Sequence, residues 1–145
     1  MPTKRIFFDA NVFNDVFDDK RATHTQSKEA LLYALKNDMA IYTSCDIVTN
    51  IYYITAKYTT KLKALDALEL LKDSVEIIPF STKELTLAIE LMRKDSDYTD
   101  MEDTVQYVLA KEMDCDLIVT NDKRFVAKKI ECIGSENFIE LFKKS

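Results

Sequence analysis

Asp9 closes a short apolar run, Ile6-Phe7-Phe8, and Asp122 follows another, Leu117-Ile118-Val119, across Thr120 and Asn121. Between them, Asp100-Met101-Glu102-Asp103 opens a stretch of helical pattern. Acids just past the ends of buried strands share one place in an open α/β sheet, the crevice at the carboxyl ends of the strands where ligands bind. Carboxylates gathered there from distant segments suit a hard divalent cation. A cation so held can activate water and offset charge building on a phosphate, so the pattern points to hydrolysis of phosphodiesters.

Each acid also has a plainer reading. Asp after a strand is a common loop or cap residue, although Asn11 adds a hydrogen-bonding side chain beside Asp9. Asp100 and Asp103 fall on one helical face, which Thr104 and Tyr107 extend. Glu102 is turned roughly 100° from Asp103 and is expected to face elsewhere. Thr99 and Glu102 spell a capping box, and acids in a first turn favour the helix dipole. That accounts poorly for Asp103, which lies beside the apolar face. Asp122 could cap a short helix over residues 123–127. Asp46 and Asn50 lie one turn apart on another predicted helix, with Tyr53 and Lys57 continuing their face. The functional reading rests on co-occurrence at one sheet edge.

Alternating strand and helix patterns must position these residues. Strands are expected at residues 6–8, 40–43, 75–78 and 117–119, with a short fifth at 132–133. Helices are expected over 23–37, 44–58, 62–71, 100–113 and 136–142, and one opens at the capping box Ser81-Thr82-Lys83-Glu84. Leu85 and Met101 are assigned to the apolar faces of their helices. This rhythm predicts a three-layer α/β/α domain with a central parallel sheet of four or five strands.

The 145 residues, 47% of them hydrophobic, suit a single domain over 1–145. No apolar run approaches the roughly 20 residues of a membrane span, and the first residues do not read as a secretory signal. Three widely spaced cysteines fit reduced thiols in a cytoplasmic protein, with Cys115 and Cys132 expected in the core. A net charge of −5 argues against broad electrostatic capture of nucleic acid, leaving local basic stretches such as Lys123-Arg124. His24, the one histidine, lies outside every motif, which disfavours imidazole base catalysis or a histidine-rich zinc site.

Phe8-Asp9-Ala10-Asn11-Val12-Phe13, Asp100-Met101-Glu102-Asp103-Thr104-Val105-Gln106-Tyr107 and Val119-Thr120-Asn121-Asp122-Lys123-Arg124-Phe125 together resemble the PIN-domain nucleases, in particular the small prokaryotic branch that includes VapC-type toxins. Each motif is short and degenerate, so the set, spread over nearly the whole chain, carries the resemblance. It implies the PIN-like fold and an endoribonuclease using Mg2+ or Mn2+. It places the family's first, third and fourth acids on Asp9, Asp103 and Asp122 and an accessory acid on Asp100. Asn11, Thr120 and Asn121 would position water or phosphate. The family's second acid falls on Asn50, whose amide could ligate a cation but supplies no charge.

An RNA substrate, a cognate antitoxin and a homodimer follow from the same resemblance. The tyrosines at 52, 53 and 58 give the second and third helices apolar surface for such a contact, or else merely cover the sheet. Two other classes stay open: a PIN-like binding module without activity, for which Asn50 is the warning, and a HAD-type phosphotransferase with Asp9 as nucleophile. The second expects an acid where this chain has Asn11.

Overall fold

The structure, a computed structural model, describes residues 3–143. In chain order it contains β1 (Arg5–Phe8), α1 (Ala10–Val16), α2 (His24–Lys36), β2 (Ala40–Ser44), a 3-10 turn (Cys45–Ile47), α3 (Val48–Tyr58), α4 (Lys61–Ser74), β3 (Glu76–Ile78), α5 (Thr82–Lys94), α6 (Met101–Glu112), β4 (Leu117–Val119), β5 (Glu131–Ile133) and α7 (Ser135–Lys143). The five strands form one parallel sheet in the order β3-β2-β1-β4-β5.

Side-chain alternation along β1 divides the core into two layers. Ile6 and Phe8 pack with residues of α1, α2, α3, α4 and α7, while Phe7 packs with residues of α5 and α6. Phe8 meets Phe13 of α1 and Phe138 of α7 at ring-centroid distances of 5.8 and 6.0 Å. Removing such a fully buried ring costs about 3–5 kcal/mol. The chain builds the sheet outward from β1 to β3, then returns across α5 and α6 to lay β4 on the other side of β1. The switch point of the sheet therefore lies between β1 and β4, where ligand crevices form.

Four local expectations are corrected. α1 was not expected, because Asn11, Asn14, Asp15 and two valines are poor helix formers. Burial of Ala10, Val12 and Phe13 overrides that propensity. The segment after Asp122 forms turns, not a helix. Its backbone donors go elsewhere, Arg124 N to Asp122 Oδ1, Lys128 N to the Tyr98 hydroxyl and Lys129 N to the Tyr107 hydroxyl. Leu85 and Met101 are exposed at 40% and 42%; Ala88, Leu91 and Met92 face the core from α5 instead. Of the two cysteines expected in the core, Cys115 is buried and Cys132 is exposed. Among the described residues, no helix is long and apolar enough to cross a membrane.

Candidate functional site

Parallel pairing sets the site. Phe8 lies in register with Val119, so the next residues, Asp9 and Thr120, leave the sheet side by side. Asp9 N donates to Val119 O at 3.0 Å, and Thr120 N donates to Ile133 O at 3.0 Å. Asp9 stays extended as the N-cap of α1 and accepts from Ala10 N at 2.7 Å.

Asp9 is 4% exposed. Its Oδ2 accepts from the Thr120 hydroxyl at 2.8 Å and from Asn11 Nδ2 at 2.9 Å. Thr120 Oγ1 in turn accepts from Asp122 N at 3.1 Å. One hydroxyl thus binds the acid after β1 to the turn that carries the acid after β4. Burial raises the Asp9 carboxyl above its ordinary pKa, opposed by Thr120, Gln106 and Ala10 and reinforced by the Asp122 charge. Gln106 is fully buried on α6 beside Asp9, yet neither of its amide atoms makes a hydrogen bond of good geometry.

α6 delivers the remaining acids. Asp100 is its N-cap and accepts from Asp103 N at 2.9 Å, replacing the expected box from Thr99. Asp103 is pushed up to about 7, first by burial and then by the charges of Asp9, Asp100, Asp122 and Glu102. Glu102 is not turned away as expected. Its carboxyl is raised first by partial burial and then by the charges of Asp46, Asp9 and Asp100, although the residue as a whole is exposed. Asp46, on the turn after β2, supplies negative charge from that side. Asn50 is half-buried on α3 and makes no side-chain hydrogen bond to this group. Although Cys132 as a residue is exposed, partial desolvation of its sulfur in the cleft, with the neighbouring Asp9 and Glu131 charges, pushes the thiol up to about 11.

Asn121 has a different role from the one expected. Its Nδ2 donates to Asp15 Oδ2 at 2.9 Å and Ser27 Oγ at 3.2 Å, and its Oδ1 accepts from Ser135 N at 2.9 Å and Ser135 Oγ at 3.1 Å. Two donors and two acceptor sites are the whole capacity of an amide. Asn121 therefore serves as an internal strut with nothing left for water or phosphate. Its backbone N also donates to Asn11 Oδ1 at 3.2 Å. A cleft of about 440 Å3 opens beside the turn, lined by Thr120, Asp122, Lys123, Cys132 and Glu136 among others.

The hydrogen bonds bring together Asp9, Asn11, Thr120, Asn121 and Asp122, and the mutual fields bring in Asp100, Glu102 and Asp103. Among the described residues, no three His, Cys, Asp or Glu side chains close into a ready-made metal cage. The donor set is nonetheless all oxygen and strongly negative. A small hard cation that keeps several waters needs few protein ligands from such a set. Asp46, Glu102 and Gln106 were missed as site residues. Asp46 was read as part of the face of a predicted helix but sits on the 3-10 turn before α3, and Gln106 is hidden among the apolar residues of α6.

A PIN domain model matches residues 6–131. Ribonuclease VapC1 of Aquifex aeolicus (strain VF5) is 42% identical over 140 residues, covering 97% of this chain and 96% of that protein. Two solved structures share the fold. The sarcin-ricin loop cleaving toxin VapC20 of Mycobacterium tuberculosis aligns with a TM-score of 0.71 at 17% identity, over 86% of this chain and 95% of its own. VapBC2 of Rickettsia felis, bound to a promoter DNA fragment, aligns with a TM-score of 0.70 at 18% identity, over 90% and 98%. By the family model and the 42% identical relative alike, this chain belongs to the PIN domain family, in its VapC-type branch.

Proposed function

We propose that the chain is a divalent-metal-dependent endoribonuclease that hydrolyses RNA phosphodiester bonds as the toxin of a toxin–antitoxin pair. One observation carries the reading. Asp103 is held at about 7 by burial and four neighbouring acids, a concentration of negative charge that a cation relieves. The relative of 42% identity bears the name ribonuclease, which supports the same chemistry.

Asp9, Asp103 and Asp122 would hold Mg2+ or Mn2+, with Asp100 and Glu102 at the margin. When bound, such a cation activates water and offsets charge on the attacked phosphate. Thr120 and Asn11 hold the Asp9 carboxylate in one orientation, so little reorganisation is left for the reaction. Lys123 and Arg124, both exposed beside Asp122, give the RNA backbone a local cationic contact on an acidic protein.

The antitoxin partner finds support in the VapBC likeness. For that partner or a second copy, α3 and α4 present Tyr53, Tyr58, Leu62 and Leu65, each more than half exposed. A cytoplasmic setting is consistent with the free cysteines.

Purified protein should cleave single-stranded RNA in Mg2+ or Mn2+ and stop on addition of EDTA. Asp9→Asn should abolish cleavage. Full activity in Asp9→Asn would remove the assignment. Wild type inactive with every divalent ion, on many RNAs, would instead favour a binding module, the reading that the Asn50 amide keeps open.

A further inference from the structure

We infer that Asp15 is a positioning residue: a buried carboxylate, outside the acid cluster, that fixes Asn121 and through it the turn carrying Asp122. The inference rests on the proposed reading of the site and deepens it.

Asp15 lies in the last turn of α1 and is 2% exposed. Its Oδ1 accepts from Arg21 Nε at 2.8 Å. Its Oδ2 accepts from Thr23 Oγ1 at 2.6 Å, Ser27 Oγ at 2.8 Å and Asn121 Nδ2 at 2.9 Å. Its charge is not among those felt by Asp9, Glu102 or Asp103. With its oxygens so occupied, it is poorly placed to ligate a cation itself. A buried charge is costly unless it gathers donors. Here it gathers the α1–α2 connection, α2 and the turn after β4. The path continues through the Asn121 backbone to Asn11 Oδ1, and from Asn11 Nδ2 to Asp9. Both catalytic-edge acids are thus referred to one anchor.

The polarity of the pair is testable because Asn121 is saturated. In Asp15→Asn, one oxygen of the anchor becomes an NH2 that meets a donor in either orientation, Arg21 Nε on one side or Thr23, Ser27 and Asn121 on the other, and Asn121 cannot flip to compensate without setting its Nδ2 against Ser135 N. In Asn121→Asp, two carboxylates face one another. The double variant restores one amide and one carboxylate, reversed, at the original net charge.

The full-length wild type, both single variants and the double variant should be compared by Mn2+ titration calorimetry, thermal unfolding and RNA cleavage. Each single variant should bind Mn2+ about tenfold more weakly, the range seen when groups supporting metal ligands are altered, and the double variant should recover most of the loss. Asn121→Asp is decisive. Its added negative charge alone would tighten cation binding, whereas misplacement of Asp122 weakens it.

Tighter Mn2+ binding in Asn121→Asp, unchanged binding in Asp15→Asn, or a double variant no better than the worse single would each overturn the inference. If Asp15→Asn fails to fold, Ser27→Ala serves, since it removes one hydroxyl from the same anchor. Weaker Mn2+ binding, by a smaller factor than in Asp15→Asn, is expected there, and no change would overturn the inference. A wild type that binds Mn2+ yet cuts no RNA would sink the ribonuclease reading and leave this comparison intact.

Discussion

The Thr120 hydroxyl donates to Asp9 Oδ2 across 2.8 Å, joining residues 111 positions apart at the switch point of the sheet. The same oxygen accepts from Asp122 N. Thr120 therefore holds one acid by its side chain and the next by its backbone. Thr120→Val keeps the shape and removes both bonds. A bond to a charged group contributes about 1.5–3 kcal/mol, so cleavage should fall by at least about tenfold. Thr120→Ser should retain most of it. Equal activity of the Val and Ser variants would show that the hydroxyl does not orient Asp9.

Asp103 sets a pH dependence whose sign is fixed. Its folded-state pKa is raised from 3.8 to about 7, so the folded protein takes up a proton more readily than the unfolded chain. The resulting stability is fully present below the unfolded value and is lost as pH rises through about 7. Asp9 and Glu102 are raised as well and act in the same direction. Metal-free protein should therefore melt at a lower temperature near pH 8 than near pH 5, and Asp103→Asn should flatten that slope. Saturating Mn2+ should restore stability at the higher pH, because a ligand bound only by the folded state stabilises it. A metal-free melting temperature that climbs across this window would contradict the charge crowding.

The strand-end acids were legible because two signals coincided, a short apolar run and a carboxylate just beyond it. That places Asp9 and Asp122 whatever the details of the helices. Expectation failed where tertiary contact overrode local preference. α1 forms from poor helix formers because Val12 and Phe13 are buried. The 123–127 segment stays irregular as Asp122 takes the Arg124 and Phe125 backbone donors, and Tyr98 and Tyr107 bind those of Lys128 and Lys129 just beyond it. Asn121 looked like a substrate contact because nothing in the sequence links it to Asp15, 106 positions away. Glu102 was misplaced by treating the helix as an isolated cylinder, when acids from β1 and from the turn after β2 surround its first turn.

Glu102 accordingly carries a revised expectation. Its carboxyl feels Asp46, Asp9 and Asp100, so it contributes to the field that draws a cation. Glu102→Gln should weaken Mn2+ binding about threefold while Asp9→Asn weakens it far more, because an exposed rim charge is screened by solvent. Calorimetric titration of both variants in low salt gives the comparison. Wild-type affinity in Glu102→Gln would return that side chain to the helix cap alone.

Leu62 and Tyr53 are 71% and 70% exposed on the α3–α4 surface. Apolar area of that kind marks protein contact sites. Leu62→Glu should leave the melting temperature within a few degrees, since most of the side chain already faces solvent, and should shift the protein toward monomer in sedimentation or weaken capture of its antitoxin. Unchanged assembly on both counts would place the contact surface elsewhere.

Gln106 separates stability from activity. It is fully buried, and neither amide atom has a hydrogen-bond partner of good geometry. An unsatisfied buried amide costs about 1–3 kcal/mol, and an apolar side chain of similar size avoids that cost. Gln106→Leu should therefore melt no lower than wild type, and by up to several degrees higher. The amide nonetheless favours the charged form of Asp9, opposing the effect of burial. Its loss should leave that carboxylate harder to ionise and the metal more weakly held. Cleavage and Mn2+ affinity should both drop about tenfold in the better-folded variant, the pattern expected when a site keeps a locally unfavourable group for function. Gln106→Glu, which adds a further acid to a crowded cluster, should lose stability instead. A Gln106→Leu variant that is less stable and fully active would show that the amide is there for the fold, and that Asp9 owes it nothing.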